Sequence, residues 1–355
     1  MEEWVLEYRQ LGSSGLSVSV LTLGTMTFGG EGVFAKVGTT DLRSAARLVD
    51  MAVDAGVNHI DTANVYSSGA SEEIVGEVVQ GKRDKLLIAT KAGMPAGNGP
   101  NERGSGRAHL IAQCEASLRR LKTDHIDLYY VHAWDGLTPL EETLGALQTL
   151  QEHGKIRYTG CSNFSGWHVM KALGVAESHG FPRFCSQQIH YTLLAREAEY
   201  ELVPIAVDQG VGITVWSPLA GGLLSGKYRR SQSPSEGRHL RDWGSPPVHD
   251  TDRLYRIVEE LVDVAQSRGA TAAQVALAWT MRRPGVSNLI IGATSEKQLA
   301  DNLAAADLVL SDEENARLSK VSALPLPYPY WHQVRTAKAR LGPADISFLQ
   351  DFIRD

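Results

Sequence analysis

Cysteine is scarce in this chain: Cys114, Cys161 and Cys185 are the only three among 355 residues. They are widely spaced, with no Cys-x-x-Cys and no histidine pairing of metal type. They therefore read as buried, reduced thiols rather than a disulfide framework or a zinc site. Cys161 adjoins Ser162 and Asn163 and is expected to line the site without entering its chemistry. Long apolar runs are absent too. No stretch of about eighteen or more apolar residues exists to cross a bilayer. The start, Met1-Glu-Glu-Trp-Val, has neither the basic opening nor the apolar core of a secretory signal, so the expected location is cytoplasmic. Basic residues are in the minority, 35 Lys and Arg against 41 Asp and Glu, for a net charge of −6 and a pI near 6.0. That balance argues against nucleic acid or an anionic membrane as the main partner.

Several motifs are missing as well. No Gly-x-Gly-x-x-Gly opens a helix after a strand, which excludes a Rossmann dinucleotide site. Gly221-Gly-Leu-Leu-Ser-Gly226-Lys227 nearly matches a phosphate-binding P-loop, but Tyr228 stands where magnesium needs a Ser or Thr ligand. Without His-x-x-x-His or a carboxylate cluster, no metal is expected. No linker divides the chain and no repeat of fixed period runs through it.

What is present is an alternation of short apolar runs and amphipathic helical stretches, in a chain that is 43% hydrophobic and 21% charged. Glu7–Gln10 and Leu16–Ser19 flank Gly12-Ser-Ser-Gly15 as a hairpin. Val20–Thr25 is the first core strand, and Thr40–Gly56 a capped amphipathic helix with Leu42, Ala45, Ala46, Leu48, Val49 and Ala52 on one face. Strands then end at Asp61, Lys91, Val131, Cys161, Gln188, Trp216 and Ile291, with helices between them. Eight β-then-α units predict an α/β fold: a closed (β/α)8 TIM barrel, with the N-terminal β-hairpin and long catalytic-face loops. The expectation is one domain over 1–355, with a core of about 7–323 and a tail over 324–355. Tyr228–Asp250 is too long for an ordinary connection. The tail's prolines, from Ala323 to His332, are read as forbidding regular structure, with Tyr328, Tyr330 and Trp331 free to cover an apolar pocket.

Asp61, Tyr66, Lys91 and His132 each sit at or just beyond the end of an apolar run. In a barrel of this kind the carboxyl ends of different strands converge on one pocket. A lysine beside a tyrosine favours the phenolate, an aspartate keeps that lysine charged and oriented, and a histidine can hydrogen-bond a substrate oxygen. Such a set protonates an oxyanion but carries no reducing electrons, so the chemistry asks for a cofactor, most simply a nicotinamide. Each residue alone has a plainer reading: Asp61 with Lys91 as a rim ion pair, His132 or Trp216 as core, and Asn163 as cap of the helix near Ser165. His59 reads as packed or exposed rather than catalytic.

Asp61-Thr-Ala-Asn-Val-Tyr66, Lys91, His132, Gly160-Cys-Ser-Asn-Phe164, Gln188-Ile-His-Tyr191, Trp216-Ser-Pro-Leu-Ala-Gly-Gly222, Gly226-Lys-Tyr228 and Ile291-Gly-Ala-Thr-Ser-Glu-Lys-Gln298 together resemble the aldo-keto reductases. The likeness runs from about Glu7 to Ala323. It implies NADPH bound in extended form without a Rossmann fold, and reversible hydride transfer to an aldehyde or ketone. Tyr66 is then the general acid, with Asp61, Lys91 and His132 as its partners. It further implies that Ser162, Asn163 and Gln188 hold the nicotinamide carboxamide and that the ring stacks on Trp216. Ser217, Leu219, Gly221 and Lys227 then match the loop beside the pyrophosphate, and Gly292, Thr294, Gln298 and Asn302 the adenosine end, at a helix start that favours anions.

One departure bears on the cofactor. Many relatives carry Arg or Lys in the stretch matching Ala293-Thr294-Ser295, against the 2′-phosphate, and this chain has none there. Lys297, or Arg229, Arg230, Arg238 and Arg241 in the long loop, are the candidates to replace it; NADPH is favoured, with NADH as the alternative. Phe28, Phe34, Trp134, Trp243 and Trp331 are candidate pocket walls, suggesting an apolar or ring-shaped carbonyl substrate. Two rivals stand beside the reductase: a nicotinamide-binding sensor or regulatory subunit with little catalysis, and a Schiff-base aldolase using Lys91. A homo-oligomer is left open.

Overall fold

The computed structural model describes residues 6–231, 237, 239 and 243–353. Eight parallel strands close a barrel: β3 (Leu21–Gly24), β4 (His59–Asp61), β5 (Leu87–Ala92), β6 (Ile126–Val131), β7 (Ile156–Ser162), β8 (Ser186–His190), β9 (Gly212–Trp216) and β10 (Val286–Ile291). Each pairs with its sequence neighbours, and β10 shuts the ring by pairing with both β9 and β3. A β-strand followed by a helix packs back onto the sheet in one hand only, so eight repeats of the unit bring the last strand to the first.

The helices between strands are α1 (Leu42–Asp54), α2 (Ala70–Val78), α3 (Arg107–Leu121), α4 (Leu140–Glu152), α5 (Gly166–His179), α6 (Leu202–Gln209), α7 (Thr251–Arg268), α8 (Ala272–Met281) and α9 (Glu296–Leu303). α1 shows why the pattern is readable. The Asp41 side chain accepts from the Ser44 amide at its start, and Ala45, Leu48, Val49 and Ala52 form the buried stripe.

The hairpin β1 (Tyr8–Gln10) and β2 (Ser17–Ser19) plugs the amino-terminal end of the barrel. Leu11 and Val18 pack with Ala89, Leu128 and Tyr130, which face the barrel interior, in a second small core. Gly12 sits against the chain entering β9: a built Cβ would lie 2.3 Å from the Gly210 carbonyl and 2.5 Å from the Gly212 amide, so no side chain fits. Above the plug the interior turns polar. The Tyr130 hydroxyl meets Ser186 Oγ at 2.9 Å, and Thr22 Oγ1, His59 Nδ1 and Asn288 Nδ2 lie within 3.0 Å of one another. All of these residues are fully buried.

The tail differs from the sequence reading. α10 (Asp312–Val321) starts on a Ser311–Glu314 capping box, and two further helices follow, α11 (Tyr330–Thr336) and α12 (Pro343–Ile353). Proline blocks a helix interior, but here Pro329 only precedes α11 and Pro343 opens α12, where no amide donor is needed. α12 packs on α6, and the Tyr330 ring stacks on Tyr200 and meets Phe348. Trp331 is exposed, and its ring neighbours among the described residues are Tyr328 and His332 of the tail itself. It is therefore no wall of the catalytic pocket. Among the described residues no helix is long and apolar enough to cross a membrane.

Candidate active site

β4 and β5 deliver Asp61 and Lys91 to the carboxyl end of the barrel as neighbours in the sheet. Lys91 Nζ donates to Asp61 Oδ1 at 2.5 Å and to the Thr62 carbonyl at 2.7 Å, and lies 3.4 Å from the Tyr66 hydroxyl. The second Asp61 oxygen accepts from Gln188 Nε2 at 2.8 Å. Lys91 and Asp61 are buried, Tyr66 only partly so. A buried ion pair is tolerable only when its remaining donors and acceptors are met, and Thr62, Tyr66 and Gln188 meet them here.

Tyr66 reaches this point on a strained loop. Ser67, Ser68 and Gly69 all have positive φ, at 49°, 57° and 101°. Ser67 Oγ donates to the Phe28 carbonyl at 3.0 Å and accepts from the Gly30 amide at 2.9 Å. On the other side, a Cβ on Gly69 would lie 2.9 Å from Arg120 Cδ, and Arg120 Nε bonds the buried Glu72, which also accepts from Thr90 next to Lys91. The backbone of the loop after β3 and side chains on α3 and β5 thus fix a backbone that a serine would not adopt alone.

The titration of the set follows from burial and the lysine. Burial raises the Asp61 carboxyl against the pull of Lys91 and Gln188. It would depress Lys91, but Asp61 and Tyr66 outweigh it and leave the ammonium above its usual range. Tyr66 is raised, because burial and Asp61 exceed the pull of Lys91. The sequence reading expected the lysine to lower the phenol; Lys91 does pull that way, and burial wins. His132, just past β6, is pushed well below the ordinary histidine range by burial and then by Lys91, so its imidazole is neutral near pH 7. Its ring stands edge-on to Tyr66, centroids 6.1 Å apart.

Beside these lies a second group. Asn163 Nδ2 donates to the His132 carbonyl at 3.1 Å and to Ser162 Oγ at 3.0 Å, and Asn163 Oδ1 accepts from Trp216 Nε1 at 3.1 Å. Asn163 does not cap α5; Ser165 does, in a capping box with His168. Trp216 is half-buried, with the His190 imidazole stacked against it at 4.5 Å. After it the chain turns left-handed repeatedly, at Ser217, Ala220, Gly221 and Gly222, and Ser217 Oγ accepts from the Gly221 amide. Turns of this kind form backbone anion nests. At the next strand end, Thr294 Oγ1 and its amide both donate to Gln298 Oε1, and Asn302 Nδ2 donates to the Gly292 carbonyl. Among the described residues, Gly222 and Gly292 have no atom within 4 Å of a built Cβ.

The family model described as Aldo/keto reductase family matches residues 20–323. The chain belongs to the aldo/keto reductase family. It is 39% identical over 319 residues to a protein named "Uncharacterized oxidoreductase YrpG" from Bacillus subtilis (strain 168), covering 87% of this chain and 93% of the relative. It is also 36% identical over 311 residues to a "Probable voltage-gated potassium channel subunit beta" from Arabidopsis thaliana, covering 86% and 92%. A rice protein of the same name is 35% identical over 311 residues, with the same coverage.

Against this family frame, the expected wall residues divide. Phe34 packs edge-on against Tyr66 at 5.4 Å and meets Trp243 at 6.0 Å, so Trp243, after β9, touches the loop after β3. Phe28 is fully buried in the core and is not a wall. Trp134 stacks on His168 at 3.7 Å and meets Phe164 and Trp167. Of the candidate 2′-phosphate cations, Arg230 is engaged by Asp252 at 2.8 Å and lies over the Tyr255 ring. Arg238 and Arg241 lie outside the described residues. Arg229 Nε is buried with no hydrogen-bond partner among them, and Lys297 is exposed on the first turn of α9. The residues that sequence reasoning missed are Thr62, Ser67, Glu72, Arg120 and His190. Only Ser67 left a signal, in the turn-forming Ser-Ser-Gly that follows Tyr66.

Proposed function

We propose that this chain is a carbonyl reductase that uses a nicotinamide cofactor, with NADPH favoured, to interconvert an aldehyde or ketone and its alcohol. The observation that carries the reading is Lys91 Nζ seated between Asp61 and the Tyr66 hydroxyl, with the Phe34 ring packed on Tyr66. The cofactor fits the residues: Trp216 offers a ring face backed by His190, and the left-handed turn at Ser217–Gly222 offers backbone amides to phosphate. Ser162, Asn163 and Gln188 would hold the carboxamide, Ser217, Leu219, Gly221 and Lys227 the pyrophosphate, and Gly292, Thr294, Gln298 and Asn302 the adenosine.

When bound, the nicotinamide supplies the hydride that goes to the carbonyl carbon. As negative charge grows on the carbonyl oxygen, Tyr66 gives it the phenolic proton. Lys91 stabilises the phenolate left behind, Asp61 holds Lys91 charged and in place, and solvent returns the proton. A neutral His132 donates an N–H to the same oxygen and orients it. Because Tyr66 titrates above the usual phenol range, it stays protonated and ready throughout neutral pH.

The channel-subunit names of two relatives favour a second reading, a cofactor-loaded sensor that turns over slowly. The two separate in one assay: a panel of aldehydes, ketones and sugars followed by loss of NADPH absorbance. Steady multiple turnover with any substrate supports the reductase. A single stoichiometric oxidation, or none, supports the sensor.

A further inference from the structure

His190 ends β8 and Trp216 ends β9, and the two are register partners across the parallel ladder. Side chains alternate along a strand, so His190 stands on the same side of the sheet as Gln188, which reaches Asp61. Its imidazole makes two contacts with one residue. The ring stacks on the Trp216 indole, with centroids 4.5 Å apart and planes 27° from parallel, and Nδ1 lies 3.3 Å from the Trp216 carbonyl oxygen. A carbonyl only accepts, so Nδ1 carries the proton. Burial holds the imidazole below the ordinary histidine range, against the Trp216 carbonyl and Glu197, so the stacked ring is neutral at pH 7. The indole is held at its edge as well: Nε1 donates to Asn163 Oδ1 at 3.1 Å, and Asn163 Nδ2 is anchored on His132 and Ser162.

The sheet gives Trp216 little other support. β10 pairs with β9 only as far as Val215, and the chain leaves the strand at once, with Ser217 left-handed at φ of 50°. Among the described residues, His190 is the one ring neighbour of Trp216. We propose that His190 is a positioning residue for cofactor recognition: it backs one face of the Trp216 indole and, with Asn163 at the edge, holds the ring so that the opposite face meets the nicotinamide. A side chain ordered before its ligand arrives loses less freedom on binding, so affinity rises without any new contact to the ligand. The gain in affinity rests on the nicotinamide reading above; the ordering of the indole does not.

The test combines fluorescence of the cofactor-free protein with calorimetry of NADPH binding. The chain has 7 tryptophans, so the Trp216 emission is read as the difference between each protein and its Trp216→Phe counterpart. In His190→Ala that emission should shift to longer wavelength and be quenched more strongly by acrylamide, because the second indole face meets water. NADPH affinity should fall by about two- to tenfold, the scale of ordering one side chain. His190→Phe, which keeps a ring to stack, should restore most of both. If His190→Ala fails to fold, His190→Asn, which has no ring, should show the same changes. In a Trp216→Ala background, His190→Ala should alter NADPH affinity by less than about 1.5-fold, since the two residues act as one unit. A Trp216 emission unmoved by loss of the imidazole, or an equal loss of affinity with and without the indole, overturns the proposal. The expected emission shift in a protein whose NADPH binding survives Trp216→Ala unaltered would refute the cofactor reading of Trp216 instead.

Discussion

Lys91 is an ammonium with almost no access to water, and its three neighbours, Asp61, Thr62 and Tyr66, are what allow it to stay charged. Removing it by Lys91→Met leaves Asp61 buried and unpaired, which is expected to cost about 3–5 kcal/mol in urea unfolding. Tyr66→Phe is milder for the fold and severe for the chemistry. The ring still packs on Phe34, but the proton is gone, so turnover should drop by about 10²–10⁴ with NADPH affinity unchanged. Turnover within about threefold of wild type would remove Tyr66 from its role. His59 makes a prediction in pH. Burial, then Lys91, lowers its pKa from 6.5 to about 3. The unfolded chain therefore takes up a proton on acidification below about pH 6.5 that the folded chain refuses, and stability falls as pH falls. The slope is about 1.4 kcal/mol per pH unit from this residue. Unfolding free energies compared at pH 6.5 and 5.0 should differ less in His59→Asn than in wild type, by about 2 kcal/mol; equal differences would contradict the assignment.

Strand ends were legible because each apolar run breaks at a polar residue that geometry then carries to one rim; Asp61, Lys91, His132 and Trp216 all lie where the runs placed them. What joins them was not legible, because the contacts are tertiary. Nothing near Gln188 in sequence points to Asp61, and Asn163 reads as a cap until Ser165 is seen to take that role. The tail misled for a local reason, since prolines that forbid a helix interior stand here before or at helix starts. The loop holding Tyr66 carries its own test. Gly69 has φ of 101° and faces Arg120, so Gly69→Ala should cost about 1–3 kcal/mol of strain. It should also lower turnover by shifting Tyr66, while Gly81→Ala, at φ of 78° with no atom of the described residues in reach of the added carbon, should cost stability without turnover. Trp216→Ala should weaken cofactor binding by about three- to tenfold in calorimetry, through lost stacking area. Unaltered affinity would mean that the ring rests elsewhere.

The whole barrel divides its labour between its ends. The amino-terminal end is closed by the hairpin, whose Leu11 is fully buried against interior barrel residues, and the carboxyl end carries Asp61, Tyr66, Lys91 and His132. Eight β-then-α units made closure legible from sequence, whereas the plug was seen only as a preceding hairpin, because which end it covers depends on the closed ring. Leu11→Ala should therefore lower stability by about 2–5 kcal/mol and leave turnover intact, the signature of a site at the far end. Loss of turnover in a variant that still folds would link the two ends. On the proposed reductase reading, the Asp61, Lys91 and Tyr66 set supplies the proton that accompanies hydride transfer at this rim. The most direct test is to reduce an aldehyde with NADPH deuterated at the transferable position and to read the alcohol by mass spectrometry. One deuterium on the carbinol carbon, formed over many turnovers by wild type and orders of magnitude more slowly by Tyr66→Phe, is the predicted result. Alcohol without the label, or label transferred equally fast by Tyr66→Phe, would contradict it.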